Sequence, residues 1–297
     1  MNKFWIIFFI IFITFNNNIL KAQIQIKYKI GDEIITNIDI INEKNYLTFL
    51  RPNLKELSTN EILEISENSL INEVIKKKEI NKLFKNINNE IIINEIKKKL
   101  FEFKNVKNES EFLSLLANSN IKYEKILEKM KYEALWNELI FRKYSALIKI
   151  DKDQQKKELI LKMSNNKKYE YNISELLFEI EKNENLENKY RKILEYIKLN
   201  DFKSAASRFS IASSSKRGGE IGWIKETLLS KNLNSLLKNI SKGEISNPIK
   251  YPTGYLLIKV IDKKEMKQII SLDKELEDLI NYEKNRQLSQ FSLLFYK

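Results

Sequence analysis

Gly218-Gly219-Glu220-Ile221-Gly222-Trp223 is the stretch on which the fold turns. It follows the polar run Ser213-Ser214-Ser215-Lys216-Arg217 and leads into Ile224. The chain holds 6 Gly, and all but Gly31 lie between Gly218 and Gly254. Of its 3 Pro, Pro248 and Pro252 fall in the same segment and only Pro52 lies elsewhere. Glycine opens backbone angles closed to other residues, and proline cannot sit in a helix interior. Turn chemistry is thus gathered into one short region, which predicts a compact, sheet-containing unit. The long Lys/Glu/Ile/Leu stretches on either side lack that punctuation and predict helices.

Downstream of the stretch, whose residues Glu220 to Ile224 read as a strand, Leu228 to Ile240 reads as a helix ended by Lys242-Gly243. Glu244 to Ile249 and Tyr255 to Ile261 read as strands. Between them Tyr251-Pro252-Thr253-Gly254 suits a type I turn. Upstream, Tyr169 to Ile180 alternates in part and reads as a strand. Leu186 to Leu199 and Phe202 to Phe209 read as helices. Strand, helix, helix, strand, helix, strand, strand in this length predicts a small α+β sandwich.

Further toward the N-terminus the pattern is helical. Ile24, Ile26, Tyr28 and Ile30 alternate as in a half-buried strand, Gly31-Asp32 makes the turn, and Glu33-Ile34-Ile35 starts a second strand or leads into a helix. Thr36 or Asn37 caps a helix that Arg51-Pro52 stops. Ser58-Thr59-Asn60-Glu61 is a capping box for a helix to about Leu83. Further helices are expected over Ile91 to Phe103, Glu109 to Ala117 and Ile121 to Ile148, the last with Tyr123, Leu127, Met130, Ala134 and Trp136 near its apolar side. Asp151 to Asn165 reads as a polar helical connector. Leu272, Leu276, Leu279, Leu288, Phe291 and Phe295 mark a long amphipathic C-terminal helix.

Met1-Asn2-Lys3 followed by the apolar run Phe4 to Phe15, then Asn16 to Asn18 and Ala22, has the layout of a secretory signal peptide cleaved after Ala22. An uncleaved signal anchor is the alternative. Either way the body of the chain is expected in an export compartment, the periplasm. The chain has 297 residues, 31% of them charged, with a net charge of +12. Its basic residues interleave with Glu along helices, as in Glu124-Lys125 and Glu128-Lys129, so they read as solvated faces and not as a nucleic-acid surface. Neither Cys nor His occurs. Disulfides, thiol catalysis, Cys/His zinc sites and imidazole chemistry are excluded. No metal or other cofactor is expected, and no phosphate-cradling loop is present.

The residues from about Tyr169 to Asp262 resemble the parvulin family of peptidyl-prolyl cis-trans isomerases. The resemblance rests on Asp201-Phe202 with Ala205-Ala206, Ser210, the Gly218 to Trp223 string, Lys242-Gly243-Glu244-Ile245-Ser246-Asn247-Pro248, and Tyr251 to Asp262. The whole chain resembles exported SurA-type chaperones. It implies an α+β chain divided as follows: signal peptide 1–22, mostly helical N-terminal chaperone domain 23–150, connector 151–167, parvulin-like domain 168–263, and a C-terminal helix, 264–297, packing back on the N-terminal domain. It differs from well-known members in having room for one parvulin domain and in ending without a strand after the last helix.

The chemistry of that family is rotation about an X–Pro bond, against a barrier of about 18–20 kcal/mol set by amide resonance. No bond breaks. The site needs an apolar pocket and polar groups favouring the twisted amide. The family's histidine positions correspond here to Glu175 and Leu256, its Cys/Asp position to Ala212, and a floor hydroxyl position to Tyr251, while Thr253 keeps a hydroxyl. The proline pocket is expected at Leu229, Leu233, Trp223 and Thr253. The resemblance therefore implies a fold that holds peptide with little catalysis. The implied partners are unfolded, extended polypeptides, outer-membrane protein precursors in particular, without nucleic acid and without membrane beyond a signal anchor. An active isomerase using Glu175, Thr253 and Tyr251 is one alternative; a signal-anchored scaffold is another.

Overall fold

Short alternating strands open the described part of the chain. In this computed structural model the described residues are 24–84, 89–117, 119–163, 168–266 and 271–296. The expected signal peptide lies outside them, as do residues 164–167 of the expected connector. β1 (Ile26–Ile30) pairs antiparallel with β2 (Glu33–Thr36). α1 (Asn37–Leu50) starts on a reciprocal cap: the Thr36 hydroxyl accepts the Asp39 N–H at 3.2 Å, and the Asp39 carboxylate accepts the Thr36 N–H at 2.8 Å. Such a cap satisfies N–H groups that a helix start leaves without partners. α2 (Thr59–Leu83) starts on the expected box of Ser58 and Glu61. α3 (Asn89–Lys104), α4 (Glu109–Leu116), α5 (Tyr123–Tyr144) and α6 (Lys152–Met163) follow. On α5 the buried residues are Tyr123, Ile126, Leu135, Trp136, Leu139 and Ile140; Leu127, Met130 and Ala134 are half-buried.

A charged cluster ties α1, α2 and α5 together. Glu43 is 1% exposed, and Lys129 Nζ lies 2.6 Å from its carboxylate. The Ser69 hydroxyl donates to the other oxygen at 2.6 Å. Lys129 also pairs with Glu73, which pairs with Lys77 at 2.7 Å. Buried charge is tolerated only when paired in this way.

The second unit is a four-stranded antiparallel sheet, ordered β4-β3-β6-β5, of β3 (Tyr169–Phe178), β4 (Glu220–Lys225), β5 (Ile249–Tyr251) and β6 (Gly254–Glu265). Strand alternation gives it two apolar faces. Leu176, Phe178 and Leu257 pack against α7 (Leu186–Leu199) and α8 (Phe202–Phe209). Tyr171, Ile173, Leu177, Leu256, Ile258 and Val260 form the opposite face, under Leu229, Leu237 and the rest of α9 (Lys231–Lys238).

Two expectations need correction. The helix expected from Leu228 starts later: Glu226–Leu228 is a 3-10 turn, and the Ser230 hydroxyl caps α9 by accepting the Leu233 N–H at 3.3 Å. The strand expected over Glu244 to Ile249 is broken. Ile245 makes an isolated bridge to Lys259, and regular pairing resumes only at Ile249. Pro248 has no N–H to give a ladder, which accounts for the break. The hairpin from Tyr251 to Gly254 turns through Pro252 and Thr253, neither with positive φ, as a type I turn requires.

α10 (Leu272–Tyr296) lies between the two units. On one side Phe295 stacks on Trp136 at 5.6 Å and Phe291 on Tyr144 at 4.9 Å, and Trp136 Nε1 donates to Ser292 at 2.8 Å. On the other side Lys225 Nζ lies 2.8 Å from both Glu275 and Asp278. The sheet unit also meets the helical layer directly through polar groups. Arg208 pairs with Glu61 at 3.2 Å and Glu64 at 2.6 Å, Lys216 pairs with Glu133, and Arg51 donates to the Ser215 carbonyl at 2.7 Å.

Candidate functional site

The face of β3 and β6 that carries Leu177 and Leu256 gathers most of the expected site residues. Glu175 stands between Ile173 and Leu177 on alternate positions of β3, opposite Ile258 of β6. Leu256 pairs in register with Leu177. Ala212 is brought beside them by a clamp. The Leu177 carbonyl accepts the Ile211 N–H at 2.8 Å, while the Ser210 hydroxyl accepts the N–H groups of Leu177 at 3.1 Å and Ala212 at 3.3 Å. Ala212 and Leu256 are both buried in the apolar cluster of this face.

Leu229 comes from the turn before α9, and its placement is fixed from outside. Lys162 Nζ, on α6, donates to the Thr227 carbonyl at 3.1 Å and to the Leu229 carbonyl at 2.8 Å. Glu226 accepts the Tyr169 N–H at 3.1 Å and pairs with Lys238 at 2.9 Å. Leu229 is buried and Leu233 half-buried against the same cluster. Tyr251 closes the hairpin end of the face. Thr253 beside it is 4% exposed, and its hydroxyl has no partner among the described residues.

Trp223 is a correction. It pairs with Asn172, whereas its neighbour Ile224 pairs with Tyr171 of the apolar face. Adjacent residues of a strand point to opposite faces, so Trp223 lies on the far side from Leu229. It is 44% exposed, with the Lys264 ammonium 4.1 Å above its ring.

The electrostatics centre on Glu175. The Ser214 hydroxyl donates to its Oε1 at 2.8 Å, and its own backbone N–H donates to the Gly219 carbonyl at 2.8 Å. Burial raises the Glu175 carboxyl above the ordinary carboxylate range, opposed in part by the Ser214 hydrogen bond and the Arg217 charge. The opening Gly-rich stretch therefore supports this residue through its backbone. Ser214 was not singled out from the sequence; it was hidden in a run of serines.

Also missed was the contribution of α10. Tyr282 packs against the apolar face. Burial, then the charges of Glu175 and Tyr251, raise its hydroxyl above the ordinary value. Arg286 is bound to Glu283 at 2.6 Å, and Glu283, then Tyr251, hold its guanidinium above the ordinary value. A helical stripe Glu275, Asp278, Tyr282, Arg286 was visible in the sequence, but it is polar and reads as a solvated face.

Chemically, the face is apolar, with the Glu175 carboxyl on β3 and Tyr251 at the hairpin end, and it is packed under α9 and α10. Ala212 and Leu256, buried in this face, have side chains that can neither donate nor accept a hydrogen bond. Apart from this face, a cleft of about 420 Å³ opens between α4 and α5, lined by Leu113, Leu116, Ala117, Ile121 and Tyr123 among others. No helix among the described residues is long and apolar enough to cross a membrane.

Residues 171–262 match the PPIC-type PPIASE domain of the rotamase family. Foldase protein PrsA 3 of Bacillus cereus is 32% identical over 176 residues, covering 58% of this chain and 55% of its own. Chaperone SurA of Buchnera aphidicola is 28% identical over 289 residues, covering 89% of this chain and 63% of its own. The chain thus spans less than two thirds of either relative. A crystal structure of a PpiC-type peptidyl-prolyl cis-trans isomerase domain aligns at 26% identity over 34% of this chain and 96% of its own, with a TM-score of 0.30.

Proposed function

We propose, for a chain whose residues 171–262 are a PPIC-type parvulin domain and which is SurA- and PrsA-like over most of its length, that it holds unfolded polypeptides and scarcely isomerises them. The observation that carries this is the composition of the site face. Leu229 and Leu233 keep an apolar wall for a proline ring, while Ala212 and Leu256 stand where the twisted amide would need polar partners. Such a face binds ground state and transition state alike, which gives affinity without rate. Residues 168–263 are then the peptide-holding unit, and residues 23–150 with 264–297 a helical unit with its own client groove. Exposed Leu113, which lines the cleft between α4 and α5, supports that groove.

The clients this reading favours are exported, extended, aggregation-prone segments, outer-membrane precursors among them, met in an export compartment. The experiment is a pair of assays on one preparation. A proline-limited refolding reaction should run at its uncatalysed rate, tens to hundreds of seconds, in the presence of the protein. Aggregation of an unfolded β-barrel precursor should be suppressed at stoichiometric protein. A large acceleration of refolding would show that Glu175, Thr253 and Tyr251 catalyse after all.

A further inference from the structure

α10 has opposed stripes. At about 100° per residue, Glu275, Tyr282 and Leu293 fall on one side, flanked by Asp278 and Arg286. Phe291 and Phe295 fall on the other. The second stripe is stacked on Trp136 and Tyr144 of α5. The first lies on the sheet unit: Glu275 and Asp278 hold Lys225, Thr227 hydrogen-bonds Glu275, and Tyr282 and Leu293 pack on the apolar site face. The helix is fastened to α5 by aromatic stacking and to the sheet unit largely by polar groups.

We propose that α10 is a built-in lid of the parvulin face, with Tyr282 and Leu293 packed on that face where a client side chain next to proline would sit. The inference rests on the reading that this face holds peptide, and it adds how access to the face is controlled. A client enters when the sheet unit and α10 part. The contacts that must then break include the Lys225 pairs, the Thr227–Glu275 hydrogen bond and the packing of Tyr282 and Leu293 on the face. The Lys225–Asp278 pair is partly exposed and contributes little, and Glu275, buried in the closed form, regains water when the two part, so the lid can open while the Trp136 side stays closed. The fraction of molecules with the face open sets the apparent affinity for a client.

The test uses the full mature chain and a fluorescein-labelled peptide containing Phe-Pro, read by fluorescence anisotropy. Wild type, Tyr282→Ala, Tyr282→Phe and Lys225→Ala are compared, each also with Leu233→Asp added to spoil the face. Tyr282→Ala should bind the peptide about tenfold more tightly than wild type. Lys225→Ala should move the same way, and Tyr282→Phe should stay near wild type. The gain should vanish with Leu233→Asp. Equal affinity of wild type, Tyr282→Ala and Lys225→Ala, all lost with Leu233→Asp, would overturn the lid and leave the peptide-holding face standing. No binding by any variant would overturn the peptide-holding reading and the lid with it. Lys225 is half-buried, with 30% of its side chain exposed, and the Thr227 hydroxyl still holds Glu275 once it is trimmed, so Lys225→Ala decides the matter if Tyr282→Ala does not fold.

Discussion

Replacing Gly219 by alanine should be among the most damaging single-methyl changes in the sheet unit. Gly219 has φ +77°, and a Cβ there would lie 2.1 Å from the Glu175 carbonyl oxygen and 2.8 Å from Ala206 Cβ. The left-handed backbone alone costs a non-glycine residue about 1–2 kcal/mol. Forcing a methyl into filled space adds about 1–3 kcal/mol. Backing away stretches the bond between the Glu175 N–H and the Gly219 carbonyl, worth about 1 kcal/mol. The expected loss is therefore about 3–6 kcal/mol. Gly222 is the internal control. Its φ is +88°, yet a Cβ there meets nothing within 4 Å. Gly222→Ala should show only the backbone penalty of about 1–2 kcal/mol. Urea unfolding followed by far-ultraviolet circular dichroism measures both. If the two variants lost the same stability to within about 0.5 kcal/mol, the close approach of Gly219 to β3 would not be what the glycine is for.

Other changes probe the charges and the closing helix. The folded-state pKa of Glu175 is raised, so its contribution is fully present below the ordinary carboxylate range and lost as pH rises through the folded value. Glu175→Gln should therefore gain on wild type as pH rises above the ordinary carboxylate range, with the gap closing in acid; a pH-independent gap in urea midpoints refutes this. Lys129→Ala leaves Glu43 buried without its cation and should lose about 3–5 kcal/mol, much of it recovered when Glu43→Gln is added in a double-mutant cycle. Trp136→Ala removes the platform for Phe295 and should lose about 3–5 kcal/mol, seen as earlier thermal unfolding.

Much of the architecture could be read from local chemistry. The caps at Thr36 and Ser58 and the bounds of α7 and α8 follow from side-chain hydrogen bonding and helical spacing, which act within a few residues. The reading failed where a distant group decided the outcome. Leu228 and Leu229 extend the apolar spacing of α9, but Lys162 and Glu226 hold them in a turn outside it. Trp223 reads as a pocket residue by its type, yet pairing with Asn172 sends it to the other face. Glu175 is legible from the resemblance as a site position, but which of the neighbouring serines binds its carboxylate depends on the loop's path. The cover that α10 places over the face was not legible, because its docking stripe is polar and its apolar stripe belongs to α5.

The position of α10 also has a consequence for synthesis. The aromatic rings of Trp136 and Tyr144 are covered by Phe291 and Phe295, which the ribosome makes only after the whole sheet unit. At about 5–20 residues per second the gap lasts on the order of ten seconds. During that interval the helical layer has a core with one wall missing. A polypeptide of this design cannot finish its N-terminal fold as it emerges. It must itself be kept from aggregating until its last turn of helix arrives.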